Sequence, residues 1–270
     1  VVVNALVGVA AAGVKGDFVL AAVQLTAGRQ QLTLVSDAQL NQMGAQAFQQ
    51  YQQDLPQAGA AEQRYAQCIA DAIVTALPAE QQRAQDWQIR VFESDQANAF
   101  ALPGGYMGIN TGLLNVARTQ DQVAAVVGHE IGHVLARHAN ERVSTQTATQ
   151  LGLSVLSSVS GMQGPAGEQM MGALGLGAQY GVLLPFSRRH ESEADVIGLR
   201  LMADAGFDPR ASVTLWQNME AAGGARPPAW MSTHPSQGQR MAGLQANMDD
   251  AVARYERARQ AGRTPNCPRP

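Results

Sequence analysis

Charge is scarce in this chain, and neither sign dominates. Of its 270 residues, 15% are charged, against roughly 25% in an ordinary globular domain. The net charge of −3 excludes the basic surface that nucleic-acid binding requires. Long apolar runs are also absent: residues 1–12 are interrupted by Asn4 and are too short to span a bilayer. We therefore expect no nucleic-acid partner and membrane contact that is peripheral at most.

Cysteine is rare as well. The two cysteines, Cys68 and Cys267, permit one disulfide that ties the C-terminal tail to the first half of the chain. Two separate buried thiols are the alternative. A disulfide would imply an oxidising compartment such as the periplasm.

Apolar residues make up 46% of the chain, enough for a sizeable core. Apolar periodicity and capping patterns predict helices at 36–55, 60–77, 188–206 and 208–224, a helix that begins after Thr119 and continues through residues 126–138, and a last amphipathic helix through residue 258. The pattern alternates at 87–94, and 98–114 has the form of a hairpin that turns at Pro103-Gly104-Gly105. We see no internal repeat. We therefore expect one domain at 36–258, an N-terminal extension at 1–35 and a C-terminal tail at 259–270.

The stretch VVGHEIGHVLARH, residues 126–138, concentrates three of the five histidines of the chain. His129 and His133 lie one helical turn apart, so both imidazoles project from one face and can share a zinc ion. Glu130 is rotated about 100° from His129, where it can reach a water molecule beside the metal. His138 lies about 140° round the same helix from His133, so we expect a surface or capping histidine there.

A catalytic zinc ion needs a third protein ligand. In one known solution, a third histidine lies ten residues after the first histidine of the motif, and a glycine lies seven residues after that same first histidine. Here these two positions are Ala139 and Ala136. HESEAD, residues 190–195, offers a carboxylate instead. Glu191 can bind the metal, while Asp195, on the same helix face, can accept a hydrogen bond from a metal-bound histidine. Glu193 is expected to face solvent.

HEIGH, followed about sixty residues later by ESEAD, resembles the HtpX-type zinc peptidases, which include the CaaX prenyl protease. The segments GAQAFQQYQQDLP, AEQRYAQCIADAI, NAFALPGGYMGINTGLL and STHPSQGQR extend the resemblance over residues 36–258 to the soluble periplasmic branch typified by BepA and LoiP. The resemblance implies an α+β, mostly helical, zincin-like fold with a small β-sheet beside the HExxH helix. It also implies one Zn²⁺ per chain and a periplasmic location, possibly at the outer membrane.

The resemblance further implies a mechanism. His129, His133 and Glu191 hold the metal, and Glu130 is the general base that takes a proton from water and passes it to the leaving amine. His234 and Arg240 are the catalytic candidates for stabilising the oxyanion. His234 can instead occupy the open metal position, which would give a self-inhibited resting state.

Substrate binding is expected at a sheet edge, because an extended peptide can add to an edge strand through main-chain hydrogen bonds. GGYMGI is the candidate edge, so Gly104, Gly105, Tyr106, Met107 and Gly108 are predicted to bind substrate. An apolar lid is expected over residues 150–186, although plain core packing is the alternative.

The resemblance implies substrates among unfolded or misassembled envelope proteins, and contact with the outer-membrane assembly machinery. The sequence therefore predicts a zinc endopeptidase for quality control. A chaperone that binds unfolded outer-membrane proteins with little turnover is the alternative, against which the intact Glu130 argues.

Overall fold

The computed structural model describes residues 31–160, 184–223, 230–231, 234 and 237–270. Most of the predicted N-terminal extension, and the centre of the predicted lid at 161–183, lie outside the described residues. The described helices are α1 (Asp37–Asp54), α2 (Ala60–Ala76), α3 (Ala79–Arg83), α4 (Thr111–Val116), α5 (Gln120–Leu135), α6 (His138–Ser160), α7 (Leu184–Asp204), α8 (Ala211–Gly223), α9 (Gln237–Ala246) and α10 (Met248–Gln260). None of them is long and apolar enough to cross a membrane.

Three strands form one small mixed sheet: β1 (Gln88–Phe92), β2 (Ala99–Leu102) and β3 (Tyr106–Asn110). Their order is β1-β3-β2, with β1 parallel and β2 antiparallel to β3. The predicted hairpin is confirmed: β2 and β3 are joined by a turn in which Gly104 and Gly105 have φ of 94° and 89°, a conformation that favours glycine. The fold is thus α+β and mostly helical, as predicted.

The prediction that residues 104–109 form a sheet edge is wrong. β3 is the central strand, so β1 and β2 already take the hydrogen-bonding groups on both its sides. Gly108 makes room for the Phe100 ring, which would lie 2.3 Å from an added Cβ. Met107 is buried in the core. These residues therefore shape the sheet and have no free backbone edge to offer a substrate.

Most predicted helices are confirmed, and their start signals act as expected. At the start of α5 the Thr119 side chain accepts a hydrogen bond from the backbone N–H of Gln122, a cap that stabilises a helix by about 1 kcal/mol. The last predicted helix is instead two helices, α9 and α10, because the chain breaks at Asn247, whose backbone leaves the helical region.

Helix α5 is central, and α7 crosses it very closely. A Cβ on Gly128 would lie 2.8 Å from the Gly198 carbonyl oxygen, and a Cβ on Gly198 would lie 2.6 Å from the His129 nitrogen. A Cβ on Gly132 would lie 3.0 Å from the carbonyl oxygen of Ala194. Two helix backbones can approach this closely only where side chains are absent. Small residues therefore place HEIGH of α5 against ESEAD of α7.

The predicted disulfide between Cys68 and Cys267 is confirmed. It fastens the C-terminal tail to α2, and the Gln120 side chain adds hydrogen bonds to the tail at Cys267 N and Pro265 O. A disulfide of this kind persists in an oxidising compartment but does not say which one.

The chain divides into two compact units. Residues 37–139 and 187–270 form the larger unit, which contains the sheet, most of the helices and every residue of the site described below. The described residues 31–36, 140–160 and 184–186 belong to the smaller unit. Within its described part, Ser144 Oγ accepts a hydrogen bond from Leu34 N, and Asn140 donates one to Val35 O.

Candidate metal centre and active site

Helix α5 presents His129, Glu130 and His133 to one buried site. The two imidazole planes are nearly perpendicular, at 77°, and His129 Nε2 lies 3.0 Å from His133 Nε2. Two lone-pair nitrogens at this distance repel each other unless a proton or a cation lies between them. The spacing of one helical turn therefore brings the two atoms together as the sequence predicts.

Helix α7 adds Glu191, which is completely buried. Its Oε2 lies 3.3 Å from His129 Nε2, and its Oε1 lies 3.4 Å from His133 Nε2. Oε1 accepts no hydrogen bond from the described part of the chain. A buried carboxylate oxygen without a donor is costly, and a bound cation would remove that cost.

The donor set fits a zinc ion. Bonds of about 2.0–2.1 Å in a tetrahedron place ligand atoms about 3.3 Å from one another. Here the two histidine Nε2 atoms are 3.0 Å apart, Glu191 Oε2 lies 3.3 Å from His129 Nε2, and the other carboxylate oxygen, Oε1, lies 3.4 Å from His133 Nε2. Two imidazole nitrogens and one carboxylate are also the donors of many catalytic zinc sites. Among the described residues, His129, His133, Glu191 and His234 form the one cluster of this kind.

His234 lies in the same cluster. Its Nδ1 is 2.9 Å from Glu191 Oε2 and 3.2 Å from His129 Nε2, while its Nε2 is 3.5 Å from Glu130 Oε1. The imidazole thus stands where a fourth ligand or a substrate carbonyl would stand.

Behind His129, Asp195 and Arg240 form a buried ion pair. His129 Nδ1 donates to Asp195 Oδ1 at 2.9 Å, and Arg240 Nε donates to Asp195 Oδ2 at 2.6 Å. Arg240 also donates to the backbone oxygen of His234 at 3.1 Å and lies over the Trp216 ring. The hydrogen bond between His129 and Asp195 is the one that the sequence predicts.

The prediction that Arg240 donates to the oxyanion is not supported by this geometry. Its side chain is 0% exposed, and its guanidinium nitrogens are directed at Asp195, Glu191 and the backbone of His234. A group enclosed in this way orients ligands and has no face to offer a substrate. Arg240 is therefore placed as a positioning residue.

Trp230 was missed by the sequence reasoning. Its Nε1–H donates to Glu130 Oε1 at 3.0 Å, and its ring packs edge-on against His129. The same residue is hydrogen-bonded through its backbone to His234, whose N–H donates to Trp230 O at 2.9 Å. The only sequence signal was a tryptophan four residues before His234, which does not distinguish an active-site residue from a core residue.

His138 and Glu193 were expected at the surface, but they contact each other beside the site. Helix α5 ends at Leu135, and Arg137 has a φ of 57°, so the chain turns before α6 begins at His138. His138 therefore folds back and is 2% exposed, with its Nδ1 2.9 Å from His133 Nδ1 and its Nε2 3.0 Å from Glu193 Oε2. Continuing one helix through residue 138 was the error.

The electrostatics of the site favour a bound cation. Burial opposes ionisation of Glu191 and Asp195, but hydrogen bonds, from His129 to Glu191 and from Arg240 to Asp195, outweigh it and lower the pKa of both carboxyls. Burial and Arg240 act to lower the pKa of His129, but its bonds to Asp195 and Glu191 raise it to about 9. Burial lowers the pKa of His133 well below its usual value. Two carboxyls kept in their ionised form beside the imidazoles give the site negative charge, which favours a cation.

A small sheet beside a helix carrying H-E-x-x-H, with a glutamate from a second helix, defines a metallopeptidase with two histidines and one carboxylate as its candidate ligands. The family comparison agrees: the model of Peptidase family M48 matches residues 60–248. The chain belongs to this family.

Individual relatives are similar over part of their length. The chain is 36% identical over 172 residues to the mitochondrial metalloendopeptidase OMA1 of Schizosaccharomyces pombe, covering 63% of this chain and 49% of the relative. It is 37% identical over 190 residues to the mitochondrial metalloendopeptidase OMA1 of Bos taurus, covering 68% and 35%. It is 32% identical over 161 residues to the beta-barrel assembly-enhancing protease of Escherichia coli, covering 56% and 32%. The chain thus spans half or less of the length of these relatives.

The comparisons correct the predicted location. The resemblance implied the periplasm, but similar proteins from fungi, a plant and vertebrates carry mitochondrial names. The bacterial protease is a weaker match. The resemblance is therefore shown at the level of the family and not at the level of a periplasmic branch.

Proposed function

We propose that this chain is a zinc-dependent endopeptidase that hydrolyses peptide bonds in unfolded or misfolded protein segments. The observation that carries the proposal is the convergence of His129 Nε2, His133 Nε2 and the Glu191 carboxylate within 3.0–3.4 Å of one another. Membership of a peptidase family and the metalloendopeptidase names of relatives support it. The family match lies within the predicted catalytic domain, 36–258.

His129, His133 and Glu191 would hold one zinc ion per chain. When bound, zinc supplies a Lewis acid that polarises the scissile carbonyl and lowers the pKa of water. Glu130 accepts the proton of the attacking water and returns it to the leaving amine. Trp230 holds the Glu130 carboxylate by the hydrogen bond to Oε1, so that the base keeps one orientation during both proton transfers.

The resting site is self-inhibited by His234 in this proposal. His234 contacts both Glu191 and Glu130, so substrate can enter only when this imidazole moves away. Replacing His234 with Ala should then raise the rate of cleavage of a short unfolded peptide. A fall in that rate, with zinc content unchanged, would instead assign His234 to the oxyanion.

Substrate would bind at β2, the strand beside α5. Asn110 N donates to Asn98 O, so by the alternation of an antiparallel pair the backbone groups of Ala99 and Ala101 point away from β3. No strand in the described part of the chain pairs with β2 on that side. An extended peptide can add there, which favours unfolded over folded substrates.

The test compares the wild type with Glu130→Gln. Zinc content is measured by elemental analysis, and cleavage is measured on a permanently unfolded protein and on the same protein in its folded form. We expect about one zinc per chain in both, and cleavage of the unfolded form alone, reduced in the variant by about 10²–10⁴-fold, the contribution of a general base.

Two results would count against the proposal. Wild-type protein that binds no zinc would remove the metal site. Zinc binding without cleavage by either protein, even after His234→Ala, would favour the chaperone alternative.

A further inference from the structure

Behind His133, on the side away from the metal cluster, two polar side chains continue a line of hydrogen bonds. His138 Nδ1 lies 2.9 Å from His133 Nδ1, and His138 Nε2 lies 3.0 Å from Glu193 Oε2. His138 is 2% exposed, and the side chain of Glu193 is 16% exposed. The mechanism proposed above uses neither of them.

The protons of this line can be assigned by counting donors and acceptors. A carboxylate only accepts, so His138 Nε2 carries the proton that is donated to Glu193. A neutral imidazole has one N–H, so His138 Nδ1 is then an acceptor. The opposite atom, His133 Nδ1, must therefore donate, which leaves His133 Nε2 unprotonated and directed at Glu191 and His129.

We infer that His138, oriented by Glu193, is a positioning residue that holds His133 in the tautomer whose Nε2 can bind a metal. Asp195 does the same for His129 from the opposite side. The two histidine ligands thus have different partners: His129 donates directly to a carboxylate, and His133 reaches one through a second imidazole. This inference deepens the proposed function and rests on it.

Three features keep His138 in place. The left-handed turn at Arg137, with a φ of 57°, directs the chain back toward His133. The ring of His190 stacks on His138, with ring centroids 4.3 Å apart and an angle of 18° between planes. Glu193 belongs to the same helix as Glu191, so one rigid element positions both the metal-binding and the orienting carboxylate.

The test uses the full chain, zinc as the probe and a chromophoric chelator as competitor. His138→Leu removes the acceptor, whereas His138→Asn keeps an amide oxygen close to where Nδ1 stands. Glu193→Leu removes the outer carboxylate, and Glu220→Leu, an exposed glutamate on α8, is the matched control. Thermal unfolding of each metal-free variant reports whether it folds.

We expect His138→Leu to weaken zinc affinity about 10–100-fold, the usual effect of losing the partner of a histidine ligand. His138→Asn should recover most of this loss, and Glu220→Leu should bind as the wild type does. A structural role alone would not predict rescue by the amide. Long-range ¹⁵N–¹H NMR on the five histidines of the metal-free protein gives a second readout: the Nδ1 proton of His133, protected from exchange in the wild type, should lose that protection in His138→Leu.

The inference is overturned if the wild type binds zinc and His138→Leu binds it equally well. If His138→Leu does not fold, Glu193→Leu decides: unchanged affinity together with an unchanged His138 tautomer would overturn the inference. A wild type that binds no zinc overturns the proposed function and this inference together, so the two failures are distinguishable.

Discussion

The Arg240→Met substitution tests whether the buried ion pairs of Arg240 stabilise the folded site. Its guanidinium donates to Asp195 Oδ2 at 2.6 Å and to His234 O at 3.1 Å, and lies 3.3 Å from Glu191 Oε2. Arg240→Met keeps much of the volume but leaves two buried carboxylates without their cation. Breaking a buried pair in this way costs about 3–5 kcal/mol, so we expect the free energy of unfolding to fall by that amount.

The assay is urea unfolding in the presence of a chelator, so that metal binding does not add to the difference. Arg254→Met is the matched control, because Arg254 pairs with Asp204 and Asp250 but is one-third exposed. Exposed pairs contribute about 0–1 kcal/mol. The contrast between the variants isolates burial as the cause.

The loss caused by Arg240→Met should also depend on pH. Arg240 holds the pKa of Asp195 below its usual value against the effect of burial. The pair therefore stabilises the fold fully above the unfolded pKa of about 3.9, and this stabilisation is lost as pH falls from there through the lower pKa of Asp195 in the folded state. The difference from the wild type should be largest near neutral pH and shrink in acid. An Arg240→Met that is no less stable than Arg254→Met at neutral pH would refute the reasoning.

Three further predictions concern the helix crossing, the catalytic base and the tail. Gly198→Ala should destabilise the fold by about 1–3 kcal/mol, because its Cβ would lie 2.6 Å from a backbone nitrogen of α5; Gly243→Ala, whose Cβ meets nothing within 4 Å, should be neutral or stabilising in the same urea assay. Trp230→Phe removes the hydrogen-bond donor that orients the Glu130 carboxylate, a bond to a charged group worth about 1.5–3 kcal/mol. We expect kcat to fall about 10–100-fold while the zinc content stays unchanged. An unchanged kcat would contradict the role of Trp230 in orienting Glu130. Cys68→Ser removes a disulfide between residues 199 positions apart and should lower the free energy of unfolding by about 2–5 kcal/mol. A variant as stable as the wild type under oxidising conditions would argue against a stabilising disulfide.

The local elements of the fold could be predicted from sequence because their signals are local. The spacing of HEIGH places His129 and His133 on one helix face, and the alternation at 87–94 predicts β1. The strand order could not be predicted in this way. Residues 104–109 have the same sequence whether they form an edge or the centre of a sheet, and only the parallel pairing of the distant β1 with β3 decides between the two.

The sequence by itself determined the donor types and their spacing: two histidines one turn apart, a glutamate beside them, and a carboxylate pair on a later helix. The sequence also predicts Asp195 as the partner of one histidine ligand, but tertiary structure alone decided the other partners of the site residues. A single left-handed residue, Arg137, turns the chain so that His138 meets His133, and no local pattern announces that turn because the residue is not a glycine. Trp230 and Arg240 reach the site from distant parts of the chain. Side chains meet across such separations only when the whole core packs, so their roles depend on long-range packing that no window of sequence contains.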